Sequence, residues 1–238
     1  MLKLLFFFFA ANLSTTAESY HIILDPKERT EIDARVSSPV TEVNYKMGDH
    51  FKQGDVLILL EKNVLEANYI KARSAFEKAK TKYEVKKALY DDGSATELEV
   101  YEAKAEKAEA YSATVTAKDL LDAAKVEGPY HGKVVSVYVD VHEIPKIGDP
   151  LIEVIDDSVL KAKFLVDSDT PIAIGDTLSI QIKETGEMIE ATVTRLSPDI
   201  DPSSQTVKVE AEIDNSDEKL KSGMSGEVFL KGTNGEGS

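Results

Sequence analysis

The spacing of apolar residues changes twice along this chain and divides it into segments of different kinds. From Val40 to Leu57, and again from Val134 to Leu151, short apolar stretches alternate with polar residues around Gly-Asp turns, as in small strands. Between them, Lys62 to Tyr90 and Glu97 to Asp122 are rich in Ala, Lys and Glu and contain no Pro or Gly, a composition that predicts two long helices. After Asp156 the two-residue alternation returns. Strands are expected at Val159–Val166, Thr177–Ile182, Ile189–Thr194, Val207–Ile213 and Glu227–Leu230, separated by Gly, Pro, Asp and Asn turns. Tyr20 to Ile32 also reads as extended and is assigned to the same barrel or sandwich. Gly232 to Ser238 shows no strand or helix pattern and reads as a flexible terminus.

The two short strand-rich segments repeat one another at a single constant offset. Val40, Val43, Lys52, Gly54, Asp55 and Leu57 are matched by Val134, Val137, Lys146, Gly148, Asp149 and Leu151. Gly54 and Gly148 are expected to supply positive φ, while Asp55 and Asp149 bond back to their own backbone. Neither half has enough apolar surface to stand alone, so the halves are expected to pack into one small sandwich with the helices inserted between them.

Leu65, Tyr69, Ala72, Phe76, Ala79, Tyr83 and Tyr90 follow alternating spacings of four and three, with Lys86 as the polar break. On the second helix the apolar row is read as Leu98, Tyr101, Ala105, Ala108, Ser112 and Val115. Such narrow rows predict a coiled-coil seam. Gly93 can end the first helix, and either Thr96–Glu99 or Ser94–Glu97 can form the capping box that starts the second. Ser94 to Thr96 is then the exposed tip of a helical hairpin. Residues 62 to 90 hold eight Lys and Arg against three acids, and 97 to 122 seven acids against three Lys, so the helices attract one another. Each exposed ion pair contributes only ~0.2–1 kcal/mol. Arms of nearly thirty residues project about 40 Å at 1.5 Å per residue, and the nested order of segments predicts an elongated molecule.

Composition removes several classes of function. A net charge of −15 disfavours nucleic-acid binding, which needs clustered basic residues. With no cysteine there can be no disulfide, thiolate metal site, Cys nucleophile or lipid-bearing cysteine. His21, His50, His131 and His142 are scattered, and the four Met make no cluster, so no metal is expected. Asp156 with Asp157, and Asp199 with Asp201, read as turn formers rather than acid–base pairs. With no phosphate loop, zinc motif or Gly-x-Ser-x-Gly, no enzyme activity is expected. At the N-terminus Lys3, the apolar stretch Leu4–Ala11 and the small residues Ser14–Ala17 resemble an export signal cleaved after Ala17.

The order of these segments resembles the periplasmic adaptor, or membrane fusion, proteins (HlyD-like, including those of resistance-nodulation-division efflux pumps). The resemblance covers roughly Tyr20 to Leu230. It rests on the split repeat, on Gly128-Pro-Tyr-His-Gly132-Lys-Val134 at the re-entry into the second half, and on Leu196-Ser-Pro-Asp199, Thr206-Val-Lys-Val209, Asp214-Asn215 and Leu220-Lys-Ser-Gly223-Met224 near the end. It implies a mainly β fold: a β-barrel at 18–33 and 157–232, a split biotinyl/lipoyl-like barrel-sandwich hybrid at 34–61 and 126–156, and the coiled-coil hairpin at 62–125, after a signal peptide at 1–17.

The resemblance further implies a tripartite efflux transporter in which the hairpin tip docks an outer-membrane channel and the barrel, with Gly223 and Met224, faces an inner-membrane transporter. Adaptors self-associate into a ring when assembled. Localisation is then periplasmic, peripheral to the inner membrane, with no lipid anchor. At the tip Leu89 and Thr96 match the family's Leu and Ser positions, but Val85 stands where Arg is expected, with Lys86 beside it. A planar, bidentate donor is thereby lost. Many adaptors add a membrane-proximal domain built from both termini; with little before Tyr20 and after Leu230 none is expected here, and a monomer or weak oligomer is expected in isolation. The alternative is a biotin- or lipoate-carrying subunit of a transferase. Lys46-Met47 offers a weak match to a carrier lysine, but it lies inside the first half, so no cofactor is expected.

Overall fold

The computed structural model describes residues 19–230, and the expected signal at 1–17 and the tail at 232–238 lie outside them. The described chain forms two compact units, one from residues 19–27 and 157–230 and the other from 28–156.

The first unit is a closed β-barrel. Its six strands are β1 (Ser19–Asp33), β7 (Pro150–Asp167), β8 (Thr177–Ile182), β9 (Met188–Leu196), β10 (Thr206–Asp214) and β11 (Ser225–Phe229). They run in the order β1-β11-β8-β9-β10-β7, and a further β1–β7 pairing closes the circuit. Alternation puts Leu178, Ile180 and Ile182 of β8 and Val209, Ala211 and Ile213 of β10 inside, with Ile22, Leu24, Leu160 and Val228 beside them. The five strands expected after Asp156 are all present. β7, however, begins at Pro150, so Asp156 and Asp157 are not in a turn: they lie mid-strand, 8% and 9% exposed. Adjacent acids look like a strand break, yet β7 runs on through them, from its pairing with β6 as far as Ile155 to its pairing with β10 from Val159. Asp199 and Asp201 do sit in a loop, where the Asp201 carboxylate accepts from the Ser203 and Ser204 amides.

The second unit contains β2 (Val40–Val43), β3 (His50–Phe51), β4 (Val56–Leu60), α1 (Asn63–Asp91), α2 (Glu97–Asp122), β5 (Lys125–Glu127) and β6 (Gly132–Val137). β4 lies between β2 and β5, and β6 between β3 and β7. Phe51, Leu57, Ile58, Leu60, Leu151, Ile152 and Val154 fill a separate core.

A pseudo-two-fold runs through this unit at an offset of 94 residues, the separation of Val40 from Val134. The Gly54 amide bonds to the Gly128 carbonyl, and the Gly148 amide to that of Ala34. Gly128 donates to Asp55 as Ala34 donates to Asp149, and Asn44 to Leu57 as Tyr138 to Leu151. Gly48 donates to Val134 as His142 donates to Val40. This last equivalence explains a strained residue. His142 has φ +76° where its counterpart Gly48 has φ +91°. A β-carbon in the left-handed region costs roughly 1 kcal/mol, so His142→Gly is expected to stabilise the unit by about that amount. Urea denaturation showing no gain, or a loss, would mean that the imidazole makes compensating contacts.

Candidate functional site

Two features stand out from the β framework: the helical pair and a recurrent turn. In the pair, Phe76 packs on Tyr111 with ring centroids 5.5 Å apart, Lys107 lies 4.8 Å above the Tyr83 ring, and Lys82 and Lys86 pair with Glu106 and Glu99. Partners occur in opposite order along the two helices, so the helices run antiparallel. On α1 the half-buried and buried positions are Leu65, Tyr69, Ala72, Phe76, Ala79, Lys80, Tyr83 and Lys86, while Tyr90 is 44% exposed. Lys86, the polar break in the row, is held there by Glu99.

On α2 the expected row is not the contact face. Leu98, Tyr101, Ala105, Ala108, Ser112 and Val115 are all exposed, and the protected positions are Glu99, Val100, Ala103, Lys107, Ala110, Thr114, Ala117 and Leu121. Apolar size misleads here because the large side chains of the contact come from α1 (Tyr69, Phe76 and Tyr83), and the protected α2 positions include the small Ala103, Ala110 and Ala117. Ala103, 1% exposed, fits where Tyr101 would hold the helices apart. At the base, Arg35 Nη2 reaches Asp119 at 2.7 Å.

At the other end, α1 closes on Asp92, and Gly93 has φ +76°. The Leu89 carbonyl accepts from the amides of Ser94 (2.7 Å) and Ala95 (3.1 Å). Of the two possible capping boxes the chain forms that of Thr96 with Glu99: the Glu99 amide donates to Thr96 Oγ1, and the Thr96 amide to Glu99 Oε2 at 2.9 Å. Ser94 and Thr96 are exposed, as are Leu89 and Val85 at 38% and 52%.

The Lys86 ammonium, aided by the Thr96 amide and hydroxyl, holds the Glu99 carboxyl down to about 2. The folded value lies below the unfolded one. The cap's stabilisation is therefore present above the ordinary carboxylate range and is lost as pH falls towards 2. A carbon-13 NMR titration should show Glu99 ionised at pH 3.5, and an ordinary midpoint would remove this anchor.

The second feature is a turn used four times: Lys46-Met-Gly48-Asp49, Lys52-Gln-Gly54-Asp55, Lys146-Ile-Gly148-Asp149 and Ala173-Ile-Gly175-Asp176. In each, the first residue donates its amide to the Asp carboxylate at 2.7–2.8 Å, the Asp amide returns to the first carbonyl, and the glycine has positive φ. Only the second and third belong to the repeat as read; the Gly-Asp dipeptide itself was the missed signal for the others. The Lys52 amide, then the Tyr45 hydroxyl, keep Asp55 below the usual carboxylate range. A fifth copy, Lys221-Ser-Gly223-Met224, replaces the carboxylate by the Met224 sulfur, 3.4 Å from the Lys221 amide. There Gly223 and Met224 exchange backbone hydrogen bonds with Leu24 of β1.

Lys46 and Met47 occupy the first of these turns, and Met47 is 77% exposed. Among the described residues no group of His, Asp or Glu is placed to hold a metal ion, and no helix is long and apolar enough to cross a membrane. The four histidines fall in different places: His21 on β1, His50 on β3, His131 just before β6, and His142 in its turn.

Residues 167–234 match the CusB-like β-barrel domain family. An uncharacterized protein of Haemophilus influenzae is 27% identical over 210 residues, covering 85% of this chain and 54% of its own length. The chain therefore spans about half the length of that curated relative. A MacA–MexA chimeric protein containing the Pseudomonas aeruginosa MexA α-hairpin domain superposes with a TM-score of 0.73 at 20% identity, covering 90% of this chain and 78% of that one. The membrane fusion protein Spr0693 of Streptococcus pneumoniae R6 gives 0.68 at 17% identity, covering 90% and 99%. The resemblance to membrane fusion, or periplasmic adaptor, proteins thus stands on two grounds: the sequence of the barrel and the fold of the described chain.

Proposed function

We propose that this chain, with the barrel sequence and fold of the membrane fusion proteins, is a periplasmic adaptor subunit of a tripartite efflux transporter. It acts by binding and assembly rather than by catalysis. The observation that carries this reading is the combination, on one chain, of a CusB-like barrel with a pseudo-symmetric module whose halves are separated by a long antiparallel helical pair. In this reading the module is the biotinyl/lipoyl-like hybrid, and the helical pair is a coiled-coil hairpin. Leu89, Ser94 and Thr96 at its tip meet an outer-membrane channel, while the barrel around Gly223 and Met224 meets an inner-membrane transporter. The turns at Gly54–Asp55 and Gly148–Asp149 are structural, and the adaptor is periplasmic, exported by its N-terminal signal without a lipid anchor. It forms a ring when assembled, and carries no cofactor.

The test uses the tagged full-length protein in its own host, cross-linked in intact cells and then isolated. A transporter and a channel should be recovered with it. Leu89→Asp, on an exposed tip residue, should lose the channel, keep the transporter and leave helicity unchanged. Recovery without any transporter, or an intact mass raised by biotin or lipoate on a lysine, would defeat the adaptor reading.

A further inference from the structure

The turn Lys221-Ser-Gly223-Met224 follows the backbone path of the four Gly-Asp turns but uses a different acceptor. In those four the first amide donates to an Asp Oδ2 at 2.7–2.8 Å, whereas here it meets the Met224 sulfur at 3.4 Å. Met Sδ and Asp Oδ stand the same number of bonds from Cα, so the sulfur takes the carboxylate's place without its charge. A thioether is only a weak acceptor. The same side chain packs against the barrel core. The backbone beside it ties the start of β11 to β1: the Leu24 amide donates to the Met224 carbonyl and the Gly223 amide to the Leu24 carbonyl, both at 2.8 Å. One sulfur thus sits where a turn, a strand pairing and the barrel core meet.

Sulfur, unlike a carboxylate oxygen, can be oxidised. Met47 and Met188 are 77% and 57% exposed, so water meets a sulfoxide on either. Met224 is half-buried. The Lys221 N–H occupies one of its two sulfur lone pairs, and the other is free for an oxidant. A peroxide delivers one oxygen to that pair: the S–O bond forms, the O–O bond breaks and the sulfur gives up two electrons. The displaced hydroxide takes the proton of the transferred OH and leaves as water. The oxidised sulfur carries partial positive charge and no longer accepts from Lys221. Its new oxygen, one bond further out, is a strong acceptor that needs hydration where the thioether had packed on apolar side chains.

We propose that Met224 is an oxidation site whose sulfoxide loosens the joint between β1 and β11. Attack from one side of the sulfur makes one sulfoxide epimer, whereas the exposed Met47 and Met188 give both. Each epimer is reduced by a different stereospecific methionine sulfoxide reductase. The joint is therefore restored by one of the two enzymes and not by the other. The site belongs to the barrel itself and stands whether or not the chain serves a transporter.

With no cysteine in the chain, mild peroxide acts on methionine alone. The purified full chain is treated with hydrogen peroxide, and peptide mapping by mass spectrometry follows the gain of one oxygen at each Met. Met224 should oxidise after Met47 and Met188. As it does, amide hydrogen exchange at Gly223 and Leu24 should rise about tenfold, the loss of roughly one ordinary hydrogen bond. One reductase alone should return both Met224 and the exchange rates to their native state, and the other should change neither. Met47, oxidised on both sides, should be repaired in part by each. Met224→Leu keeps the apolar packing without an oxidisable sulfur, and its exchange at Gly223 and Leu24 should not respond to peroxide. The inference is overturned if Met224 stays unoxidised in the folded protein, if its oxidation leaves exchange unchanged, or if the two reductases repair it alike. It is equally overturned if Met224→Leu responds as the native chain does, which would place the effect at Met47 or Met188.

Discussion

Gly132→Ala should unfold the helix-bearing unit or destabilise it by on the order of 3 kcal/mol or more, at the upper end of overpacking costs. A β-carbon built at Gly132 falls 2.1 Å from the Ile155 carbonyl oxygen, and backbone cannot rotate away as a side chain does. Gly132 is paired with Phe51 of β3 on one side, and its neighbour Lys133 with Ile155 of β7 on the other, so relief would part β6 from a strand it needs. Gly54→Ala is the matched control. It places a methyl in open space at φ +84°, so only the left-handed penalty of about 1 kcal/mol applies. Thermal denaturation followed by circular dichroism should rank Gly132→Ala well below Gly54→Ala. Equal loss would show that backbone conformation, not the Ile155 carbonyl, sets the requirement at both.

That contrast marks what could be read along the chain and what could not. Turn glycines announce themselves through the Asp that follows, so Gly54 and Gly148 were legible. The spacing of Gly128 and Gly132 was visible, but its cause was not: Gly128 lies against the Phe51 ring, and Gly132 against a carbonyl from β7. Both contacts come from far along the chain. Helix limits were legible because composition and caps are local. Which face of α2 meets α1 was not, because that face mixes Ala103, Ala110 and Ala117 with the polar Lys107 and Thr114, whereas the outward face carries Leu98, Tyr101 and Val115. A rule that ranks faces by apolar bulk chooses the wrong one. The strain at His142 became legible only once its equivalence with Gly48 was seen in the hydrogen bonds. β7 runs through Asp156 and Asp157 because it passes from one partner strand, β6, to another, β10, and that exchange of partners is not written in the local sequence.

Asn215 shows how two short motifs, each uninformative alone, combine in the barrel. Its side chain is fully buried. Nδ2 donates to the carbonyls of Asp157 (2.9 Å) and Leu220 (3.1 Å), and Oδ1 accepts from the Leu220 amide at 3.0 Å. One amide thus satisfies three backbone groups that water does not reach, and ties the loop before Gly223 to β7. Asn215→Leu keeps the volume and strands all three. At ~1–3 kcal/mol for each unpaired buried group, the barrel should lose roughly 4 kcal/mol. Asn215→Asp separates hydrogen bonding from shape. A carboxylate can still accept from the Leu220 amide, but it faces two carbonyl oxygens, one of which a protonated acid could satisfy with its single O–H. Burial and those oxygens raise its folded pKa above the unfolded value. The variant should then be closest to the native protein near pH 4 and fall further behind as pH rises towards 7. Urea midpoints measured across that range decide the matter: a constant deficit would mean that the two carbonyls do not need the donor the structure gives them.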